Sequence, residues 1–200
     1  MNYYNLIKSH RNKILIGFLV IFLLGNFYLI SKTKEYQRKI KYVAGEQYIA
    51  FFSSLRAYGV SLKHFDEYAT EHNDIEREIE ITKEHVNNLV SYARFYGMLA
   101  PEHQKETRLS AILWQIAIDA QKFYEGYLLN ENKIKENTDR IGKFSIAVNE
   151  IVEMENSTRI KALGTREGFN EEEMADILYP KMKEIMDLTG LYDERSPIND

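Results

Sequence analysis

Six titratable side chains crowd into eleven residues near the first third of the chain: His64, Asp66, Glu67, Glu71, His72 and Asp74. Imidazoles and carboxylates at such density are the ligand types of zinc and of harder cations. A carboxylate-bridged metal site in a helical bundle, however, needs Glu-x-x-His pairs on two helices, so that both ligands of a pair project inward one turn apart. Three residues before His64, His72, His85 and His103 stand Ser61, Ala69, Thr82 and Ala100, none of them a carboxylate. The cluster therefore reads as a polar helix end, and no metal or cofactor is expected. Thiol nucleophiles, Fe–S clusters and cysteine-bound zinc are excluded by a cysteine count of zero. The sequence holds no HExxH, no P-loop and no GxSxG pattern, so no catalytic residue is assigned and the expectation is a protein that is not an enzyme. Glu171, Glu172 and Glu173 stand where carboxylates favour a helix N-terminus, which is sufficient reason for them.

Aromatic side chains are the second set with chemical content, at 12% of 200 residues. Tyr92, Phe95 and Tyr96 precede Gly97, and Trp114, Phe123 and Tyr124 follow Pro101. Their spacing suits two neighbouring helices, where they would form bundle core, the wall of an aromatic pocket, or a surface for a protein partner. The third set is basic: Lys32, Lys34, Arg38, Lys39 and Lys41, interrupted only by Glu35 among acids. It reads as a stop-transfer flank or as a contact for anionic lipid headgroups. Residues 1–39 carry a net +6 and the remainder −10, so the bulk of the chain is repelled by phosphate backbones and nucleic acid is not an expected partner.

The elements that must carry these residues are helices. Ile14 to Ile30 are 17 consecutive uncharged positions, about 25 Å of helix, at the short end for crossing a bilayer core. Lys8, Arg11 and Lys13 precede the run and no small-residue cleavage site follows it, which reads as an uncleaved signal-anchor with the N-terminus inside. Beyond it, apolar residues recur at alternating steps of three and four. One stripe is Ala44, Tyr48, Phe51, Leu55, Tyr58, Leu62, Phe65 and Ala69, on a helix expected to continue from the anchor. A second is Ile75, Ile79, Thr82, Val86, Leu89, Ala93 and Tyr96, opened by Asn73 with Glu76 as a capping box and closed near Gly97 and Pro101. A third is Leu109, Leu113, Ile116, Ala120, Phe123 and Tyr127; a fourth, after a turn at Asn130–Asn132, is Ile134, Thr138, Ile141, Ser145, Val148 and Val152. Residues 156–168 read as the longest connection, with room for helix at its beginning. Asn170, Glu173 and the Phe169/Met174 pair open a last helix, which Pro180 should kink or split and Gly190 should end.

The expected fold class is all-α: a basic tail over 1–13, a single transmembrane helix over 14–30, an acidic antiparallel bundle of four to five helices over 31–192, and a frayed tail over 193–200. The stripes do not say whether a partner helix belongs to the same chain, so a homo-oligomer satisfies them too. A bundle on an anchor without a catalytic set is expected to act outside the cytoplasm by binding other proteins, as a scaffold or accessory subunit of the cell envelope. The alternative is a ligand-sensing domain, similar to extracytoplasmic bundles of bacterial membrane receptors in architecture only. Residues 31–200 hold no second apolar span, so sensing would need a partner membrane protein to carry the signal. A membrane-tethered enzyme is the third reading, and it requires a histidine beside a buried carboxylate.

Overall fold

The computed structural model describes residues 3–68, 75–99, 108–163 and 170–190, and among them there is no strand. The helices are α1 (Tyr3–Tyr68), α2 (Ile75–Leu99), α3 (Arg108–Phe123) extended by a π-helical turn at Tyr124–Leu128, α4 (Glu131–Glu136), α5 (Thr138–Leu163) and α6 (Glu171–Thr189). The chain divides into two compact units, Met1–Val43 and Ala44–Asp200.

In the first unit the apolar residues from Leu15 to Ile30 are exposed on every side of α1, and this helix is long and apolar enough to cross a membrane. The polar interruption within the run is absorbed locally: Asn26 Nδ2 donates to the Phe22 carbonyl at 2.8 Å. A side-chain amide satisfied within its own helix removes most of its cost in an apolar medium.

The second unit is built on the stripes. Phe51, Leu55, Tyr58, Leu62 and Phe65 of α1 have no exposed surface, and Leu113, Ile116 and Phe123 of α3 and Ile141, Val148 and Ile151 of α5 are equally enclosed. Thr82 occupies an apolar slot in the α2 stripe because its hydroxyl donates to the Glu78 carbonyl at 2.7 Å. Tyr48 meets Tyr96, and His64 lies 3.8 Å from Glu78, so α1 and α2 run antiparallel. Tyr58 meets Phe144, and Gly59 lies against Val148 and Asn149, while Tyr48 faces Glu155, so α1 and α5 are antiparallel as well. One interface departs from the antiparallel plan: Arg108 pairs with Asp176 and Tyr127 with Thr189, which makes α3 and α6 parallel neighbours.

Two local expectations are corrected. The fourth segment is not a single helix: Asn130 caps α4 by accepting from the Lys133 amide at 3.0 Å, and Asn137 then separates α4 from α5. The Asn137 side chain donates to the Lys133 carbonyl at 2.8 Å, the local competition that makes asparagine a helix breaker. Pro180 does not split α6: it stands on the exposed face, as does Asp176, whose carbonyl it leaves without a helical donor. Gly97 lies inside α2, which ends two residues later at Leu99. The helix allowed for at the start of residues 156–168 is there, since α5 runs on to Leu163. The ends of α6 follow expectation, with the Asn170 side chain accepting from the Glu172 and Glu173 amides and Gly190 left-handed at φ 67°. Asn73, Pro101, Phe169 and residues 193–200 lie outside the described residues.

Candidate functional site

The aromatic residues singled out by spacing are distributed among different partners rather than gathered into one wall. Phe123 stacks on Phe144 of α5 at 3.7 Å between ring centroids, and Tyr96 tilts against Tyr48 of α1 at 6.0 Å. Tyr124 is buried, with burial raising its hydroxyl pKa, and Tyr92 packs on the core from a half-buried position. Phe95 and Trp114 point outward, 54% and 42% exposed, and Met98 one turn beyond Phe95 is 70% exposed. A 3-4 stripe identifies Tyr96 and Phe123 as inward positions; Phe95 and Trp114 fall off the stripes, and this was the signal that separates the two groups.

A polar network occupies the end of the bundle where Tyr48 enters. Glu155 of α5 is buried and accepts from Arg159 Nε at 2.9 Å, while Arg159 also donates to Asn156 Oδ1 at 3.1 Å. The Tyr48 hydroxyl faces Glu155, Arg56 adds positive charge, and the Tyr96 hydroxyl faces Glu171 at the start of α6. Burial raises the Glu155 pKa, and Arg159 opposes that shift. Both phenols are driven upward by burial and by the neighbouring carboxylates, so they act as neutral donors at physiological pH. Groups so far from neutrality are poor proton-transfer catalysts, and the network ties α1, α2, α5 and α6 together.

Asp119 of α3 is the other buried carboxylate. Both of its oxygens accept from Gln115 Nε2 at 3.0 Å, and burial pushes its pKa up to about 6 against the pull of Gln115 and Lys122. Sequence reasoning missed Asp119 and Glu155, because a lone acid at an inward helical position is indistinguishable by spacing from one at the rim. At the opposite end, Tyr127 donates to the Thr189 carbonyl at 3.2 Å beneath the Arg140 guanidinium, 4.8 Å from the ring centre. Lys181 bridges Glu150 and Glu184 across α5 and α6.

Among the described residues, His64 stands on α1 and His85 on α2. His64 Nδ1 is 3.8 Å from Glu78 Oε1, beyond hydrogen-bond length, and Glu78 is partly exposed. Asp66 and Glu67 side chains, Glu71, His72 and Asp74 lie outside the described residues, and among those described no three His, Asp or Glu side chains come together.

The five basic residues past the apolar run are all exposed on α1 but are not equivalent. Glu35 takes Lys32 on one oxygen and Lys39 on the other, each at 2.9 Å, and these two lysines hold its carboxyl well below the usual range. Lys39 also sits 6.0 Å from the Tyr36 ring centre. No family model, curated protein or solved structure matches the chain.

Proposed function

We propose that this chain is a single-pass membrane-anchored protein that holds a non-catalytic helical bundle outside the cytoplasm, as a scaffold or accessory subunit that binds another protein at the cell envelope. The observation that carries the reading is that Phe95, Met98 and Trp114, all large and apolar, stand 54%, 70% and 42% exposed on α2 and α3, two helices packed on each other. Aromatic residues and methionine are enriched in protein interfaces, and exposing them without a partner forgoes about 1.5–3 kcal/mol per large side chain. A short charged tail ahead of an uncleaved apolar run is the signal-anchor arrangement, and it supports the outward orientation; the basic residues of the two flanks do not decide it.

Photo-crosslinking in intact cells tests this. A benzophenone side chain at Phe95 or Trp114 is expected to give one discrete adduct, and the same group at Lys143 or Glu153, both exposed on α5, is expected to give none. Equal adducts at all four positions, or none at any, would remove the partner-binding reading. Protease added outside intact cells should cleave a tag after Asp200; protection until lysis would place the bundle in the cytoplasm.

A further inference from the structure

The basic segment after the apolar run splits into two faces of α1. Lys32, Glu35 and Lys39 follow one another at steps of three and four and are joined by ion pairs. Lys34, Arg38 and Lys41 follow at steps of four and three, about 140° around the helix from the Lys32 face. Glu35 is the only acid between Ser31 and Val43, and both its oxygens are engaged on the first face. Three of the five positive charges therefore align on a face with no acid of its own.

We propose that Lys34, Arg38 and Lys41 form a docking stripe for the phosphates of anionic phospholipids, while Lys32 and Lys39 stay committed to Glu35. The inference rests on reading residues 14–30 as a bilayer span, which makes a headgroup layer the surface continuous with the stripe. Lys34 lies four residues past Ile30, about 6 Å along the helix and inside a headgroup layer of roughly that thickness. Arg38 and Lys41 follow at about 12 and 16 Å; their long side chains reach back towards the surface, and the remaining gap is about one Debye length at physiological salt. Zwitterionic headgroups offer no net charge to such a stripe, whereas phosphatidylglycerol or phosphatidylserine offers one per lipid. The ion pairs on the other face are exposed and individually weak, but they direct the Glu35 carboxylate to Lys32 and Lys39 rather than to Lys34 or Arg38.

The test uses the full chain. Alkaline extraction of the membranes in which it is made comes first: release of the protein would overturn both the span and the stripe. The retained protein is then placed in nanodiscs of phosphatidylcholine with 30% phosphatidylglycerol, as order-of-magnitude composition for a bacterial-type surface, and the lipids that stay bound are counted by native mass spectrometry. K34Q/R38Q/K41Q is expected to lower phosphatidylglycerol retention about fivefold or more, and K32Q/E35Q/K39Q to leave it within about twofold. A variant that exchanges neighbours without changing composition, T33K/K34T/I40K/K41I, should also lose retention, because it moves two charges about 100° off the stripe. If the exchanged variant retains phosphatidylglycerol like the parent, net charge alone governs binding and the stripe is overturned while the span stands. Stripe-dependent self-association in pure phosphatidylcholine would overturn it as well, and assign the stripe to an acidic protein surface.

Discussion

Asp119 is the residue whose chemistry differs most from its setting. Its carboxylate is 2% exposed, accepts from a neutral amide, and has a pKa of about 6, above an ordinary value of 3.8. The folded state therefore binds the proton more tightly than the unfolded state, and protonation favours folding. Asp119 makes its most favourable contribution below about pH 4, and that contribution is lost as pH rises through about 6. Asp119→Asn keeps an acceptor for Gln115 without the charge, so it should raise unfolding free energy at pH 7 by about 1–2 kcal/mol and flatten the stability profile between pH 4 and 7. Denaturant titrations across that range read both quantities. A variant no more stable than the parent at pH 7 would mean that water or another group already compensates the charge. Glu155 is enclosed to the same degree and burial raises its pKa as well, but Arg159 beside it offsets part of that cost and joins it to the polar network.

At the scale of elements, α1 lies close against α5 at Gly59. A Cβ on Gly59 would stand 2.7 Å from Asn149 Oδ1 and 3.2 Å from Val148 Cγ1, and the Gly59 carbonyl accepts from Ser145 at 3.3 Å. Gly59→Val should destabilise by roughly 1–3 kcal/mol through overpacking, despite its better fit to a folded chain. Gly97, inside α2 with open space around its Cα, is the control: Gly97→Ala should stabilise by about 0.5–1 kcal/mol. Thermal melts of both variants decide this, and equal gains at the two positions would refute the close packing. The contact of α1 with α5 was not legible in the sequence, although the stripes on both helices were. Period 3.6 fixes which side of α1 faces inward, so Leu55, Tyr58 and Leu62 were readable as core. It carries no information on which helix faces which. The parallel α3/α6 pair, the Tyr58 hydroxyl on the Ala120 carbonyl and the neighbours of Phe123 are therefore properties of the folded chain that no stripe encodes. Local signals behaved differently: Asn170 and Gly190 act through backbone groups within a few residues, and both marked their helix ends correctly. The π-helical turn at Tyr124–Leu128 follows from no local signal that distinguishes it from ordinary helix.

At the scale of the whole molecule, the two units call on different solvents. The apolar run from Leu15 to Ile30 is exposed on all sides, whereas the unit Ala44–Asp200 encloses its own core of large side chains from α1, α2, α3, α5 and α6. Such a core has no need of the anchor for its stability. The prediction is that a chain beginning at Ala44 is soluble, helical by circular dichroism and cooperative on heating, whereas the full chain requires detergent or lipid. Leu55 and Ile116 supply the stringent form of the test, since each has no exposed surface and they lie on different helices. Asp at either site places a charge where no partner waits, costing about 4 kcal/mol or more against a typical domain stability of about 5–15. Either substitution should abolish or markedly lower the cooperative melt of the soluble fragment, while Leu55→Met, which preserves volume, should cost less than about 1.5 kcal/mol. If the Asp variants melted at the parent's temperature, the stripes would face water rather than one another, and the bundle would have to be completed by another chain. If the fragment were insoluble while the Asp variants behaved as expected in the full chain, the core would stand and the independence of the two units would fall.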